Sequence, residues 1–351
     1  MKKFIISISL TLIIQFGYSQ IVIIDSINKT PIPNVSVIFG SNTFITISDL
    51  EGIIHISNEL LKNDNSMSFS HISYQPKSIK TNFIKTNDTI FLTPITRKLD
   101  DVVVSSNTTK DYLVLKGFYR SYLYNDDMVY GYSDGIVEYF IDLNKKAGSS
   151  KSLTNRVISN RLFERNFENN IKNKGFIRLG YSVNPSLPKI TTKSLSHIVH
   201  LTKNDNESKY INQIDGKSIK INYDLLNGKK NIINFLGMRI QFLKRNTTEE
   251  YSEGKLNPLF LKSLSSNLSL KLSLKNENYL KNYFEEIIEE FFILNSYYIS
   301  EKSYKKIKTS NSFRCPISNN IEILTEYKNK YNFPLTPTFI ENQIGNGLNI
   351  K

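Results

Sequence analysis

Between residues 20 and 105 the apolar positions come in short β-branched runs separated by turn residues. Runs at 35–39, 43–47, 53–57, 67–73 and 89–92 have strand length. They are rich in Val, Ile, Thr and Phe, side chains that suit a pleated, half-buried surface. Pro31 and Pro33, Gly40-Ser41-Asn42, Asp49-Leu50-Glu51-Gly52 and Asn63-Asp64-Asn65 break the runs. Gly52 stands where a tight turn re-enters a strand, a position that calls for a positive φ. Strands at this spacing, with no helical period between them, predict a small antiparallel sandwich.

The pattern changes further on. Residues 114–124 are aromatic and extended, Asn125-Asp126-Asp127 breaks them, and 129–132 and 136–143 continue, which predicts hairpins. Residues 144–174 read as a polar, basic connection, and 186–203 as holding a short helix. Leu268, Leu270, Leu272 and Leu274 alternate with polar residues and point one way on a strand. Residues 276–294 show helical spacing instead, with Leu280, Tyr283, Phe284, Ile287, Ile288 and Phe291 on one face. Residues 296–308 read as strand-like, and 321–331 as a helix that Pro334 and Pro337 stop from continuing.

The order of the first part carries a resemblance. A strand leads to Pro31-Ile32-Pro33-Asn34-Val35-Ser36-Val37, then to Ser48-Asp49-Leu50-Glu51-Gly52 and a further strand. Ser70-His71-Ile72-Ser73-Tyr74 follows, and Leu99-Asp100-Asp101-Val102-Val103-Val104 closes the stretch. This resembles the carboxypeptidase-regulatory-like domain, a transthyretin-like seven-stranded β-sandwich found at the N-terminus of Gram-negative envelope proteins, including TonB-dependent transporters. Ser48 replaces the Thr usual before the turn Asp, and Ser73 the Gly usual before the aromatic residue. The resemblance brings no catalytic residues. Lys116-Gly117-Phe118-Tyr119-Arg120, Tyr130-Gly131-Tyr132 and Gly135-Ile136-Val137-Glu138-Tyr139 resemble the start of an uncharacterised region that follows this domain elsewhere. The expected fold class is mainly β, or α+β. It has a sandwich over 20–105 and a mixed β-hairpin and helix region over 106–351.

Met1-Lys2-Lys3, the apolar run 4–16 and the small residues of Gly17-Tyr18-Ser19 read as a secretory signal peptide over 1–19. Export to the periplasm or outer membrane is the expected address, with peripheral rather than spanning membrane association. A transporter barrel of about 22 strands, each of about 10 residues, does not fit a chain of this length. The net charge is +13, and residues 20–104 hold seven basic against eight acidic side chains, so the excess lies after residue 104. Such a surface suits anionic head groups, acidic glycans or acidic partners, with nucleic acid excluded by the address; the competing reading is that Lys and Asn are simply the common surface residues of this proteome. Cys315 is the single cysteine, which excludes an intramolecular disulfide framework.

Chemistry is sparse. His55, His71, His197 and His200 are the four histidines, and none begins the His-x-x-Glu of a zinc peptidase. His197 and His200 would share a helix face, yet two ligands need a third, which Asp205 or Glu207 would supply. Glu285-Glu286 and Glu289-Glu290 repeat at i, i+4 and read as a solvated acidic helix face. No Walker motif, phosphate-cradling Gly-rich loop or nucleophile elbow is present, so no catalytic, cofactor-binding or metal site is assigned. Tyr119, Arg120, Tyr122, Tyr124, Tyr130 and Tyr132 are the candidate binding surface, with a buried β core as the competing reading. The expectation is a non-enzymatic envelope protein. Its sandwich is an adaptor, and its second part binds an envelope protein or glycan. An exported hydrolase acting on envelope polymers and an accessory component of a TonB-dependent transport complex are the alternatives.

Overall fold

The computed structural model describes residues 18–40, 44–62, 66–85, 87–95, 109–125, 128–144, 148–160, 208–214, 218–224, 226, 231–235, 238–255, 257–274, 283–309, 321–331 and 348–350. The apolar run 4–16, the segment 186–203 with His197 and His200, and Cys315 lie outside these residues. The chain forms two compact units, 1–94 and 95–351, and the expected boundary at residue 105 lies outside the described residues.

The first unit contains β1 (Tyr18–Asp25), β2 (Ser36–Phe39), β3 (Phe44–Ile47), β4 (Ile53–Ser57), α1 (Asn58–Lys62), β5 (Ser66–His71), β6 (Tyr74–Lys80) and β7 (Thr89–Leu92). Its seven described strands form two sheets, ordered β4-β1-β7 and β3-β2-β5-β6. The β1–β7 pair is parallel and the others are antiparallel. Alternate residues of both sheets meet in one core: Ile21, Ile23, Ile54, Ile56, Ile90 and Leu92 from one, Val37, Phe39, Met67 and Phe69 from the other. Turn chemistry fixes the register. The Asp49 carboxylate accepts the Glu51 and Ile53 amides at 3.0 and 2.7 Å, and Gly52 follows at φ +71°. A Cβ on Gly52 would lie 2.6 Å from the Ile23 carbonyl oxygen, so the turn needs glycine for space as well as for φ. Ser48 is fully buried; its hydroxyl accepts the Val35 amide and donates to the Ile32 carbonyl, both at 2.8 Å. The Tyr74 hydroxyl donates to Asp25 Oδ2 at 2.8 Å, and Asp25 Oδ1 caps the turn through the Ile27 and Asn28 amides.

The second unit contains β8 (Tyr112–Asn125), β9 (Met128–Asp142), β10 (Gly148–Asn160), β11 (Ser208–Ile214), β12 (Ser218–Asp224), β13 (Ile232–Phe235), β14 (Met238–Ser252), β15 (Leu261–Leu274), β16 (Tyr283–Ile299), α2 (Glu301–Thr309), α3 (Ile321–Tyr331) and β17 (Leu348–Ile350). The described strands make one ten-stranded sheet in the order β11-β12-β14-β15-β16-β8-β9-β10-β17, with β13 paired to β14. Every pairing is antiparallel. One face is apolar. Leu113, Leu115 and Tyr119 of β8 pack with Val137, Tyr139 and Ile141 of β9, and the cluster runs through Phe291 and Ile293 to Tyr251, Ile219 and Ile221. Gly117 and Gly135 make room for two rings on this face. A Cβ at Gly117 would sit 2.6 Å from Phe291 Cε2, and one at Gly135 would sit 3.0 Å from Tyr119 Cε1.

Several sequence expectations change here. Residues 283–299 are the 17-residue strand β16, not a helix. The doublets Glu285-Glu286, Ile287-Ile288, Glu289-Glu290 and Phe291-Phe292 repeat every four residues and so imitate a helical period. On a strand each doublet places one residue on each face, and this sheet is buried on both faces at β16. The solvated acidic face is therefore overturned as well: Glu290 is fully buried and Glu285 is buried. The expected strand at 296–308 ends at Ile299, where α2 begins after Ser300. The Ser300 hydroxyl accepts the Ser303 amide, and Asp111 Oδ2 accepts the Glu301 amide at 2.9 Å, which satisfies helix donors left free by geometry. The connection expected over 144–174 contains β10, and the runs 129–132 and 136–143 fuse into the single strand β9. The helix expected at 321–331 is α3.

Candidate functional site

The face of the second sheet opposite the apolar cluster carries a polar row. Cross-strand register lines up Asn222, Thr248, Ser265, Glu290, Arg120, Asp134 and Arg156 on β12, β14, β15, β16, β8, β9 and β10. Six of the seven are buried, with Glu290 and Asp134 at 0% exposure and Arg120 at 1%. Burying ionised groups is costly unless each finds a partner, and here the charges pair with one another. Arg120 Nε donates to Glu290 Oε2 across β8 and β16. Arg156 Nε donates to Asp134 Oδ1 at 2.9 Å, and its Nη2 donates to Oδ2. The Tyr132 hydroxyl, from the next row, donates to Asp134 Oδ2 at 2.9 Å.

Helix α3 closes the cluster. Lys328 Nζ donates to Asp134 Oδ2 at 3.2 Å and lies 5.9 Å from the Phe118 ring centroid. From the neighbouring position on the helix, the Tyr327 hydroxyl accepts from Lys116 Nζ at 3.1 Å. Aromatic rings fill the space between charges. The Arg120 guanidinium lies 5.6 Å from the Tyr122 ring centroid, and that of Arg156 6.0 Å from Tyr132. Tyr122 contacts Tyr132 at 5.1 Å and stacks on Tyr124 at 5.9 Å.

These contacts set the proton affinities. Burial alone would raise the Asp134 carboxyl. The charges of Lys328 and Arg156 and the bonds from Arg156 and Tyr132 outweigh it and hold Asp134 below the usual carboxylate range. Burial pushes the Lys328 ammonium below its ordinary value; Asp134 opposes this, while Arg156 and Arg120 add to it. Burial also pushes the Tyr132 phenol well up, with the Asp134 charge acting the same way. The result is a buried, cross-linked charge cluster in which one carboxylate serves Arg156, Lys328 and Tyr132.

The candidate binding surface named from sequence is placed differently from what its aromatic character suggested. Tyr119, Arg120, Tyr122, Tyr124 and Tyr132 are all buried, so they form interior packing and not an open platform. Strand alternation splits them. Arg120, Tyr122 and Tyr132 join the polar cluster, whereas Tyr119 lies on the apolar face and its hydroxyl donates to Asn155 Oδ1. Tyr130 belongs to β9, but its side chain lies outside the described residues. Sequence reasoning singled out Arg120 and, among the acidic doublets, Glu290. It missed Asp134, Arg156 and Lys328, which the β9–β10 register and the docking of α3 bring together.

Among the described residues no group of three or more His, Cys, Asp or Glu side chains is placed to hold a metal ion. His55 is exposed on β4, and His71 Nδ1 accepts the Ser73 amide at 3.2 Å. No described helix is long and apolar enough to cross a membrane. No protein-family model matches the chain, and no curated protein matches it.

Proposed function

We propose that this chain is a non-enzymatic exported protein of the Gram-negative envelope. In this reading the N-terminal unit is a carboxypeptidase-regulatory-like sandwich that acts as an adaptor. The second unit is a rigid platform that meets a protein or glycan partner at the outer membrane, held there peripherally.

One observation carries the reading. A buried charged constellation joins elements of the second sheet, although Arg120 Nη1 and Nη2 have no hydrogen-bond partner within it. Arg120 and Glu290 tie β8 to β16, and Asp134 ties β9 to β10 and α3. A constellation of this kind stiffens a scaffold, and stiffness serves presentation of a surface. The two sheets of the first unit, three and four strands sharing one core, support the adaptor assignment.

The test is fractionation of the source bacterium with protease added to intact cells. Retention in the outer-membrane fraction is the expected result. Free solubility in periplasm or medium sinks the tethered reading.

One observation favours the hydrolase alternative: Lys328 and Asp134 both have shifted proton affinities and lie in contact, as groups in active sites often do. Hydrolysis of an envelope polymer by the purified protein, abolished in Asp134→Asn and in Lys328→Met, would put that alternative first.

A further inference from the structure

Helix α2 has two unlike sides. Tyr304 is buried: its ring stacks on Tyr112 at 4.1 Å, touches Phe140 at 5.6 Å, and its hydroxyl lies 2.8 Å from Ser149 Oγ. Ile307 packs into the same cluster. At about 100° per residue, Lys302, Lys305, Lys306 and Thr309 fall within an arc of about 100° centred opposite that seam. All four are exposed. Lys308 stands at the flank, 5.9 Å from the Tyr304 ring centroid. Lys110, also exposed, precedes Asp111, whose carboxylate accepts the first amide of the helix.

This surface therefore sets five lysines, residues 110, 302, 305, 306 and 308, against the carboxylates of Asp111 and Glu301. Among the described residues Glu301 pairs with Lys305 through an exposed bridge of 2.9 Å, which is weak in water. The helix is held to the sheet by aromatic stacking and capped by Ser300 and Asp111, so the lysine face is presented on a fixed support.

We propose that the Lys302–Lys305–Lys306 face of α2 docks on the anionic head groups of a lipid surface. The proposal rests on the envelope reading above and gives its membrane contact a location. Charge complementarity commits it to this occupant: the chain carries +13, and the excess belongs to the part that holds α2. The residue type points the same way. Lysine is a compact point charge on a flexible stem, suited to phosphates that offer no fixed bidentate geometry. The cores of protein–protein interfaces are depleted in lysine and use aromatic and arginine anchors, whereas the outward arc here is three lysines and a threonine.

The test is flotation of the full-length purified protein with vesicles of phosphatidylglycerol in phosphatidylcholine, against phosphatidylcholine alone. Binding is expected only to the anionic vesicles. It should fade as salt rises from about 0.01 M to about 1 M and the screening length shrinks from about 30 Å to about 3 Å. Each lysine near such a surface is worth roughly fivefold, so the triple variant Lys302→Gln, Lys305→Gln, Lys306→Gln should lose about a hundredfold in partition. Glutamine keeps helix propensity, and an unchanged melting temperature verifies the fold. The triple arginine variant should bind like the parent.

Equal binding by the glutamine variant overturns the proposal. So does an equal loss from Lys62→Gln, Lys80→Gln, Lys85→Gln, three exposed lysines of the first unit, since that would mark mere net charge. Release from vesicles by inorganic phosphate at constant ionic strength overturns it in favour of a small phosphate ligand. Capture on polyglutamate without vesicle binding overturns it in favour of an acidic protein. If the protein fractionates with the outer membrane yet ignores anionic vesicles, this proposal falls and the envelope reading stands. If it is soluble in cells, the envelope reading falls first.

Discussion

Arg120 and Glu290 are 170 positions apart in the chain and sit directly opposite each other on neighbouring strands, joined as a fully buried ion pair. Sequence distance and burial together make this pair a long-range clamp between β8 and β16. Removing one member leaves an uncompensated charge in the interior. Glu290→Gln should therefore cost about 3–5 kcal/mol, and so should Arg120→Met. The double replacement should cost much less than the sum of the two. Urea unfolding of the four proteins measures the coupling; additive losses would mean that the pair is not a clamp.

Acid should act through Asp134. Its folded-state proton affinity is depressed, so its contribution is complete above the unfolded-chain value near about 4 and is lost as pH falls through the lower folded value. Asp134→Asn should lower stability at neutral pH and flatten the acid limb of the stability profile below about pH 4. Chemical denaturation at a series of pH values reads both effects, and an unchanged acid limb would contradict the assignment.

Alkali should act through Tyr112. Burial pushes its phenol from the ordinary 10.0 up to about 12, and the hydrogen bond to Asp142 acts in the same direction. The folded state holds this proton more tightly than the unfolded chain does. Stability from this group is therefore full below pH 10 and falls as pH rises to about 12. Tyr112→Phe should remove that part of the alkaline loss, visible as a shallower decline in unfolding free energy across the same window.

Two glycines should be intolerant for steric reasons. A Cβ on Gly135 would lie 2.1 Å from the Thr154 carbonyl oxygen, and one on Gly117 would lie 2.3 Å from that of Phe292. Backbone atoms cannot step aside as a flexible side chain does. Gly135→Ala and Gly117→Ala should each cost at least about 1–3 kcal/mol, the range for overpacking. Thermal melts with circular dichroism decide it; wild-type melting would mean that the strands separate more easily than their register implies.

The fold of the first unit was largely legible in the sequence. Its strands are short and bounded by turn residues whose chemistry is local: Asp49 and Gly52 make their turn from within four residues. The ten-stranded sheet was legible only in parts. The β8–β9 hairpin showed through its Asn125-Asp126-Asp127 break, and α3 through its period and the prolines after it. β16 was misread because a strand buried on both faces loses the alternation that marks a strand with one wet side, and doubled residues then mimic a helix.

By itself, the sequence determined a mainly β chain with its positive charge placed after residue 104. It also specified the turns that set the sandwich registers. Tertiary structure alone decided which residues make the charged cluster. Asp134, Arg156 and Lys328 share no motif and no spacing; strand register and the docking of α3 bring them together. Alternation along a strand is a local property and can be read from neighbours. Which strand lies beside which, and whether a face meets water or a helix, depends on contacts between segments far apart in the chain, such as Asp134 and Lys328, which are 194 residues apart. Those contacts decided whether Tyr119, Arg120 and Tyr122 would be surface or interior, and they made them interior.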